Sequence, residues 1–130
     1  MIDRLGQSIE VYLDLLVQRQ KLVSSNVANI NTPGYRTRDI NFQQQLNALL
    51  DTVSSKAATP SFRQVASAPA AEAPSQTVPG LLVKNDGNDV SLEREAKLLA
   101  ETAMRFQMAS MMLERRISMT KAAIREEVGG

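Results

Sequence analysis

Asn85-Asp86-Gly87-Asn88 clusters side-chain oxygens around a glycine, which is how a calcium-binding loop begins. The acidic ligands such a loop needs further along are missing, so the segment reads as a tight turn and no metal is expected. The 130 residues include no His and no Cys. That removes imidazole bases, thiol nucleophiles, disulfides and the usual zinc sites together. Acid–base chemistry would fall to carboxylates, lysine or tyrosine in a cleft, yet the acidic residues lie scattered along helix faces, so no catalytic residue is assigned. A formal charge of +1, from 15 basic and 14 acidic side chains, argues against a grip on phosphate backbones. Arg36 and Arg38, beside Asp39, read as a solvated or ion-paired edge. Aromatic residues make up 4% of the chain and Trp is absent, so neither a stacking platform nor a large aromatic pocket is expected. No cofactor, nucleic acid or small-molecule substrate is expected.

The residues with the most defined geometry are Asn26 to Tyr35, reading Asn-Val-Ala-Asn-Ile-Asn-Thr-Pro-Gly-Tyr. Pro33 fixes its own φ and pushes Thr32 out of the α region, so a helix arriving from the N-terminus must finish by Thr32. Thr32-Pro33-Gly34-Tyr35 carries proline and glycine at the central positions of a β-turn, which suits type II. Asn29 and Asn31 tolerate left-handed geometry and bond readily to nearby backbone, as a helix exit requires. Asn26, Asn29, Thr32, Pro33, Gly34 and Tyr35 are therefore taken as a signature turn.

Two long elements must position that turn. Apolar residues at Ile2, Leu5, Ile9, Leu13, Leu16, Val23, Val27 and Ile30 step by three and four, predicting a helix from about Ile2 to Ile30. After the turn, 36–42 alternates charged with β-branched or aromatic residues and reads as extended. Gln43–Val53 is expected to form a short helix on Leu46, Leu49, Leu50 and Val53. From Ser54 to Pro79 the composition shifts to Ala, Ser, Thr and Pro, too poor in large apolar groups to offset ordering entropy, and a flexible segment is expected. Gly80-Leu81-Leu82-Val83 reads as a short strand. Asp89 is the expected N-cap of a second long helix, Val90–Glu127, with Glu93 and Glu95 in its early turns.

Along that helix Leu92, Ala96, Leu99, Ala103, Phe106, Ser110, Leu113, Ile117, Thr120 and Ile124 alternate steps of four and three, the a/d spacing of a coiled coil. The assembly seam is accordingly placed at Leu5, Ile9, Leu16 and Val23 with Leu92, Leu99, Phe106, Leu113, Ile117 and Ile124. Met104, Met108, Met111, Met112 and Met119 fall largely beside it and serve either a broad core face or a second contact surface. The expected fold is mainly α, with the long N- and C-terminal helices pairing as a coiled coil, their two stripes covering each other, and a largely irregular middle carrying at most a short strand. Three regions follow: 1–31 and 90–127 as the helices of the coiled-coil layer, and 32–89 as turn, short extended and helical pieces and the flexible segment. Two helices make a thin core, so ordered structure is expected to depend on assembly.

Asn26 to Tyr35 resembles the signature shared by the axial proteins of the bacterial flagellum, the rod, hook and hook-associated proteins. Arg36–Phe42 and the Asn85–Glu95 entry to the last helix are similar to the short rod members of that family, and both chain ends, about 1–45 and 85–127, carry the likeness. The resemblance implies a structural subunit of the proximal rod. It would be exported through the flagellar type III channel without a cleaved signal peptide, and none is visible here. It would polymerise through its terminal helices in the periplasmic part of the basal body and transmit torque. Implied partners are other copies, FlgC-like rod subunits, the adaptor FliE, the membrane ring and, during secretion, the export apparatus. The alternatives are another short rod protein, FlgC-like, and a non-flagellar coiled-coil adaptor or export chaperone that captures a helix on the methionine face.

Overall fold

A computed structural model describes residues 4–54 and 74–129. Its elements run α1 (Arg4–Ala28), β1 (Arg38–Ile40), α2 (Phe42–Ser54), β2 (Ser75–Thr77) and α3 (Leu92–Gly129). The fold is mainly helical, with the two long terminal helices packed together as their periodicity requires. Ile9 of α1 shares a groove with Ala109 of α3, and Tyr12 lies beside Arg105, so the helices run antiparallel. Their shared core holds Ile9, Leu15, Leu16, Val23, Leu98 and Ala109. Each large aliphatic side chain there contributes about 1.5–3 kcal/mol of burial, a small core for helices of 25 and 38 residues.

α1 ends as its proline predicts. The Asn29, Ile30 and Thr32 amides donate to the carbonyls of Asn26, Val27 and Asn29 at 3.0–3.2 Å, tightening the last turn and satisfying carbonyls a helix would leave unpaired. Tyr35 N donates to Thr32 O at 3.2 Å and Gly34 takes φ 74°, the bond and glycine conformation of a type II turn. The left-handed geometry open to Asn29 and Asn31 is not used, since among the described residues only glycines have positive φ.

Asn41 caps α2, its side-chain oxygen accepting from Gln44 N at 3.2 Å. Ser91, not Asp89, caps α3: Ser91 Oγ accepts from Arg94 N at 3.3 Å and Ser91 O from Glu95 N at 3.0 Å. Asp89 is drawn elsewhere, to the Thr37 amide.

β1 and β2 pair antiparallel with Arg38 opposite Thr77 and Ile40 opposite Ser75. The strand expected at Gly80–Val83 is loop instead, because Gly80, at φ 81°, turns the chain after Pro79. The flexible segment was expected to reach Pro79, but 75–77 is strand; residues 55–73 lie outside those described.

The two helices meet along a different line of α3 from the one the heptad spacing marks. Glu95, Leu98, Thr102 and Ala109 are buried against the rest of the chain, whereas Leu92, Leu99, Phe106, Ile117 and Ile124 are exposed in it. A line displaced by one residue turns about 100° around a helix, so the stripes of the single chain do not cover each other.

Candidate functional site

Asn26 stands at the end of α1 on the buried side, and its carboxamide behaves like a strand edge. Nδ2 donates to Arg38 O at 2.9 Å, while Oδ1 accepts from Arg38 N at 3.1 Å and from the Tyr35 hydroxyl at 2.9 Å. The side chain thereby satisfies both backbone groups of the first β1 residue, which a helix end cannot do with its own backbone. Asn29 turns the other way: Nδ2 donates to Ser25 O at 2.8 Å and Oδ1 accepts from the Thr32 hydroxyl at 3.1 Å. Two asparagines three residues apart thus bind the turn to the helix on one side and to the strand on the other.

The closing half of the site comes from the loop before α3. Asn88 is fully buried and donates from Nδ2 to Asn29 O at 2.8 Å and Thr32 O at 2.9 Å, while its Oδ1 accepts from Val90 N at 2.8 Å. Gly34 N donates to Asp86 O at 2.9 Å and Asp89 N to Tyr35 O at 3.3 Å. Gly87, at φ 85°, lies so near the turn that a Cβ there would meet Gly34 Cα at 3.3 Å. The segment read as a calcium-like turn is therefore a backbone clamp on Asn26–Tyr35, and no cluster of acidic side chains suited to a metal occurs among the described residues.

Beneath the turn lies a charge-balanced network. Asp39 Oδ2 accepts from Arg19 Nη2 of α1 at 3.1 Å and Arg94 Nη2 of α3 at 2.8 Å, and Arg94 Nη1 continues to Glu95 Oε1 at 2.8 Å. Asp39 Oδ1 accepts from Ile40 N at 2.8 Å. Arg19 also lies over the Phe42 ring at 5.4 Å, and Phe42 meets Tyr12 edge-on at 5.5 Å. One carboxylate thus joins α1, β1 and α3. Arg36, expected as an ion-paired edge, approaches Asp89 at 3.7 Å, and Arg38 donates to Ser75 Oγ and O at 3.1 and 2.9 Å.

Among the signature residues, Asn26 is buried, Asn29 and Tyr35 half-buried, and Thr32, Pro33 and Gly34 exposed. Of the seam residues, Ile9, Leu16 and Val23 are buried between the helices and Leu113 is half-buried. Leu5 joins the exposed α3 set. From sequence Asn88 was read only as part of a turn, Asp39 as part of an ion-paired edge and Glu95 as an early-turn acid of α3, and Arg19 and Arg94 were given no role. The available signal for Glu95 was its phase, three residues before Leu98 and seven before Thr102, a charge on the line that packs inward.

This geometry joins the two stretches that carried the family resemblance, and comparison with known proteins agrees. Residues 13–36 match a family described as flagella basal body rod protein. The chain is 31% identical over 119 residues to the flagellar basal body rod protein FlgB of Escherichia coli (strain K12), covering 84% of this chain and 86% of that protein. Identity to FlgB of Salmonella typhimurium (strain LT2) is 32% over 131 residues, with 87% and 89% covered. FlgB of Cereibacter sphaeroides (strain ATCC 17023) is 34% identical over 130 residues, with 96% of each covered. The match spans α1, the turn, the clamp and α3 together, and the chain belongs to the FlgB family of flagellar basal body rod proteins.

Proposed function

We propose that this chain forms the membrane-proximal part of the rod, with FlgC-like subunits, the adaptor FliE and the membrane ring as neighbours, and that it reaches the periplasm through the flagellar export apparatus without a cleaved signal. As a FlgB-family chain it is a structural subunit of the basal body rod, assembling with other rod and basal body components into the shaft that transmits torque. Its task is mechanical and not catalytic in this reading. The regions 1–31 and 90–127 build the helical layer, and 32–89 sits outside it.

The observation that carries this reading is the unused face of α3. Leu92, Leu99, Phe106, Ile117 and Ile124 stay exposed after α1 has been covered through Leu98, Thr102 and Ala109. A helix with one apolar line spent inside its chain and a second at heptad spacing is equipped to pair with helices of other subunits. Long helices packed side by side resist twist, because sliding them would unpack every knob along the seam. The adaptor alternative explains the apolar face but gives no role to the signature turn.

Leu99→Asp tests the reading, because Leu99 is 44% exposed and its loss leaves the α1–α3 core intact. The expected outcome is an unchanged helical circular dichroism spectrum with loss of basal bodies and swimming, since an unpaired charge would lie in the seam. Normal swimming by this variant would remove the α3 seam from the account.

A further inference from the structure

α3 turns its less apolar side inward. Along the line that meets α1 stand Glu95, Leu98, Thr102, Arg105 and Ala109, whereas the line one residue further on reads Ala96, Leu99, Ala103, Phe106 and Ser110. Burial of apolar surface alone would favour the second line. The first is buried nonetheless, and with it a carboxylate, since Glu95 is 0% exposed.

The charges around Glu95 supply the missing preference. Asp39 Oδ2 of β1 accepts from Arg94 Nη2 at 2.8 Å and from Arg19 Nη2 of α1 at 3.1 Å, and Arg94 Nη1 donates to Glu95 Oε1 at 2.8 Å. To bring the apolar line inward, α3 must turn by about 100°, so that each residue takes the place of the one before it. Ala96 then fills the space of Glu95, and Glu95 arrives where Arg94 stands, with its carboxylate against that of Asp39. Two acids would face each other in a site shielded from water, with Arg19 alone to balance them. As bonding, the network is imperfect: among the described residues, Arg19 Nε and Glu95 Oε2 are buried without a hydrogen-bond partner. Desolvation of such groups offsets much of what the ion pairs contribute, so the network acts on orientation more than on stability.

We infer that the order of charges in Arg94-Glu95, set against Asp39, selects which face of α3 packs on α1 and so keeps the line of Leu99 and Phe106 turned outward. Arg94 and Glu95 are positioning residues in this account. That the outward line is the assembling one rests on the seam reading given above, whereas the selection is a property of the single chain. The competing cause is the Asn88 clamp with the Ser91 cap, which fix where α3 begins.

Exchange of the two charges, Arg94→Glu with Glu95→Arg, separates these causes without altering composition or net charge. In the exchanged chain the native orientation sets an acid against Asp39, and the turned one sets an arginine there. The chain has no cysteine. Ala103→Cys on the outward line and Ala109→Cys on the inward line, placed singly, therefore report the face through their rates of reaction with a maleimide in the dilute purified chain. With the natural charges the thiol at 103 is expected to react more than about tenfold faster than that at 109, because Ala109 is 5% exposed. With the charges exchanged, the order is expected to invert while the helical circular dichroism signal persists. A neutral chain, Arg94→Gln with Glu95→Gln, keeps the Arg19–Asp39 pair, and there the rate at 109 should rise as that at 103 falls. If neither variant exposes the thiol at 109 at the expense of that at 103 with the helical signal intact, the inference is overturned. Continued protection at 109 would assign the orientation to the clamp, and loss of helix would make the network a support of the fold. Normal swimming by Leu99→Asp removes the seam reading alone and leaves the selection standing.

Discussion

Asn88 concentrates more of the junction's bonding than any residue of the Pro-Gly turn it holds. Two donated bonds and one accepted bond leave from one fully buried carboxamide. Asn88→Ala would leave the buried Val90 N without this partner and take one of two bonds from Asn29 O and from Thr32 O, and a loss of about 1–3 kcal/mol is expected from urea unfolding, since an orphaned buried group keeps its desolvation penalty. Asn88→Asp keeps the acceptor for Val90 and should recover part of the loss. Asp39 acts through charge. Asp39→Asn leaves the Arg19 guanidinium, 15% exposed in its side chain, without an anionic partner, and a loss of about 3 kcal/mol is expected by the same measurement. Replacement of both Asp39 and Arg19 by neutral residues should be milder than the sum of the single changes, which a double-mutant cycle would read.

Between elements, the decisive contrast is Leu98 against Leu99. Leu98 is 9% exposed and faces α1, whereas Leu99 points out of the chain. Leu98→Asp is expected to lower the helical signal of the isolated chain and its midpoint of thermal unfolding, an effect Leu99→Asp should not share. The helices themselves were legible because three-four periodicity, Pro33 and the Asn-Asp-Gly-Asn turn bound them: expected limits of 2–30, 43–53 and 90–127 stand beside 4–28, 42–54 and 92–129, with residues 2 and 3 outside those described. Which face of α3 turns inward was not legible. The heptad line is the more apolar one, while the inward line carries Glu95 and Thr102, and the buried Glu95 carboxylate is met by Arg94, which also bonds to Asp39, distant from it in sequence. β2 was hidden for a similar reason, since Ser-Gln-Thr has no apolar alternation and is held by pairing with Arg38–Ile40 and by Arg38 bonding to Ser75. The signature turn was legible as backbone geometry, but its clamp was not, because Asn88 lies 59 residues from the Asn29 carbonyl it bonds.

At the scale of the molecule, order is uneven. The turn, clamp and charge network gather at one end of the helix pair, and beyond Arg116 every described residue of α3 except Thr120 is exposed. Among the described residues that stretch has no partner helix to exclude water, so its amides should exchange rapidly in the isolated chain and become protected in the assembled rod. Hydrogen exchange on both samples would read the difference, and protection of residues 117–128 in the dilute monomer would mean that the helix stands without neighbours. Assembly then completes a partly built subunit and does not fold it from nothing.

The β1–β2 ladder has a consequence for alteration of the protein. It brings Ile40 and Ser75 opposite each other, so the long excursion between them departs from and returns to a base clipped shut by three residue pairs. Lengthening a loop whose ends are already joined adds only about 0.6 kcal/mol per doubling. A reporter or a whole additional domain spliced in between α2 and β2 is therefore expected to leave the α1–α3 pair in register, which the helical signal of an insertion variant would check.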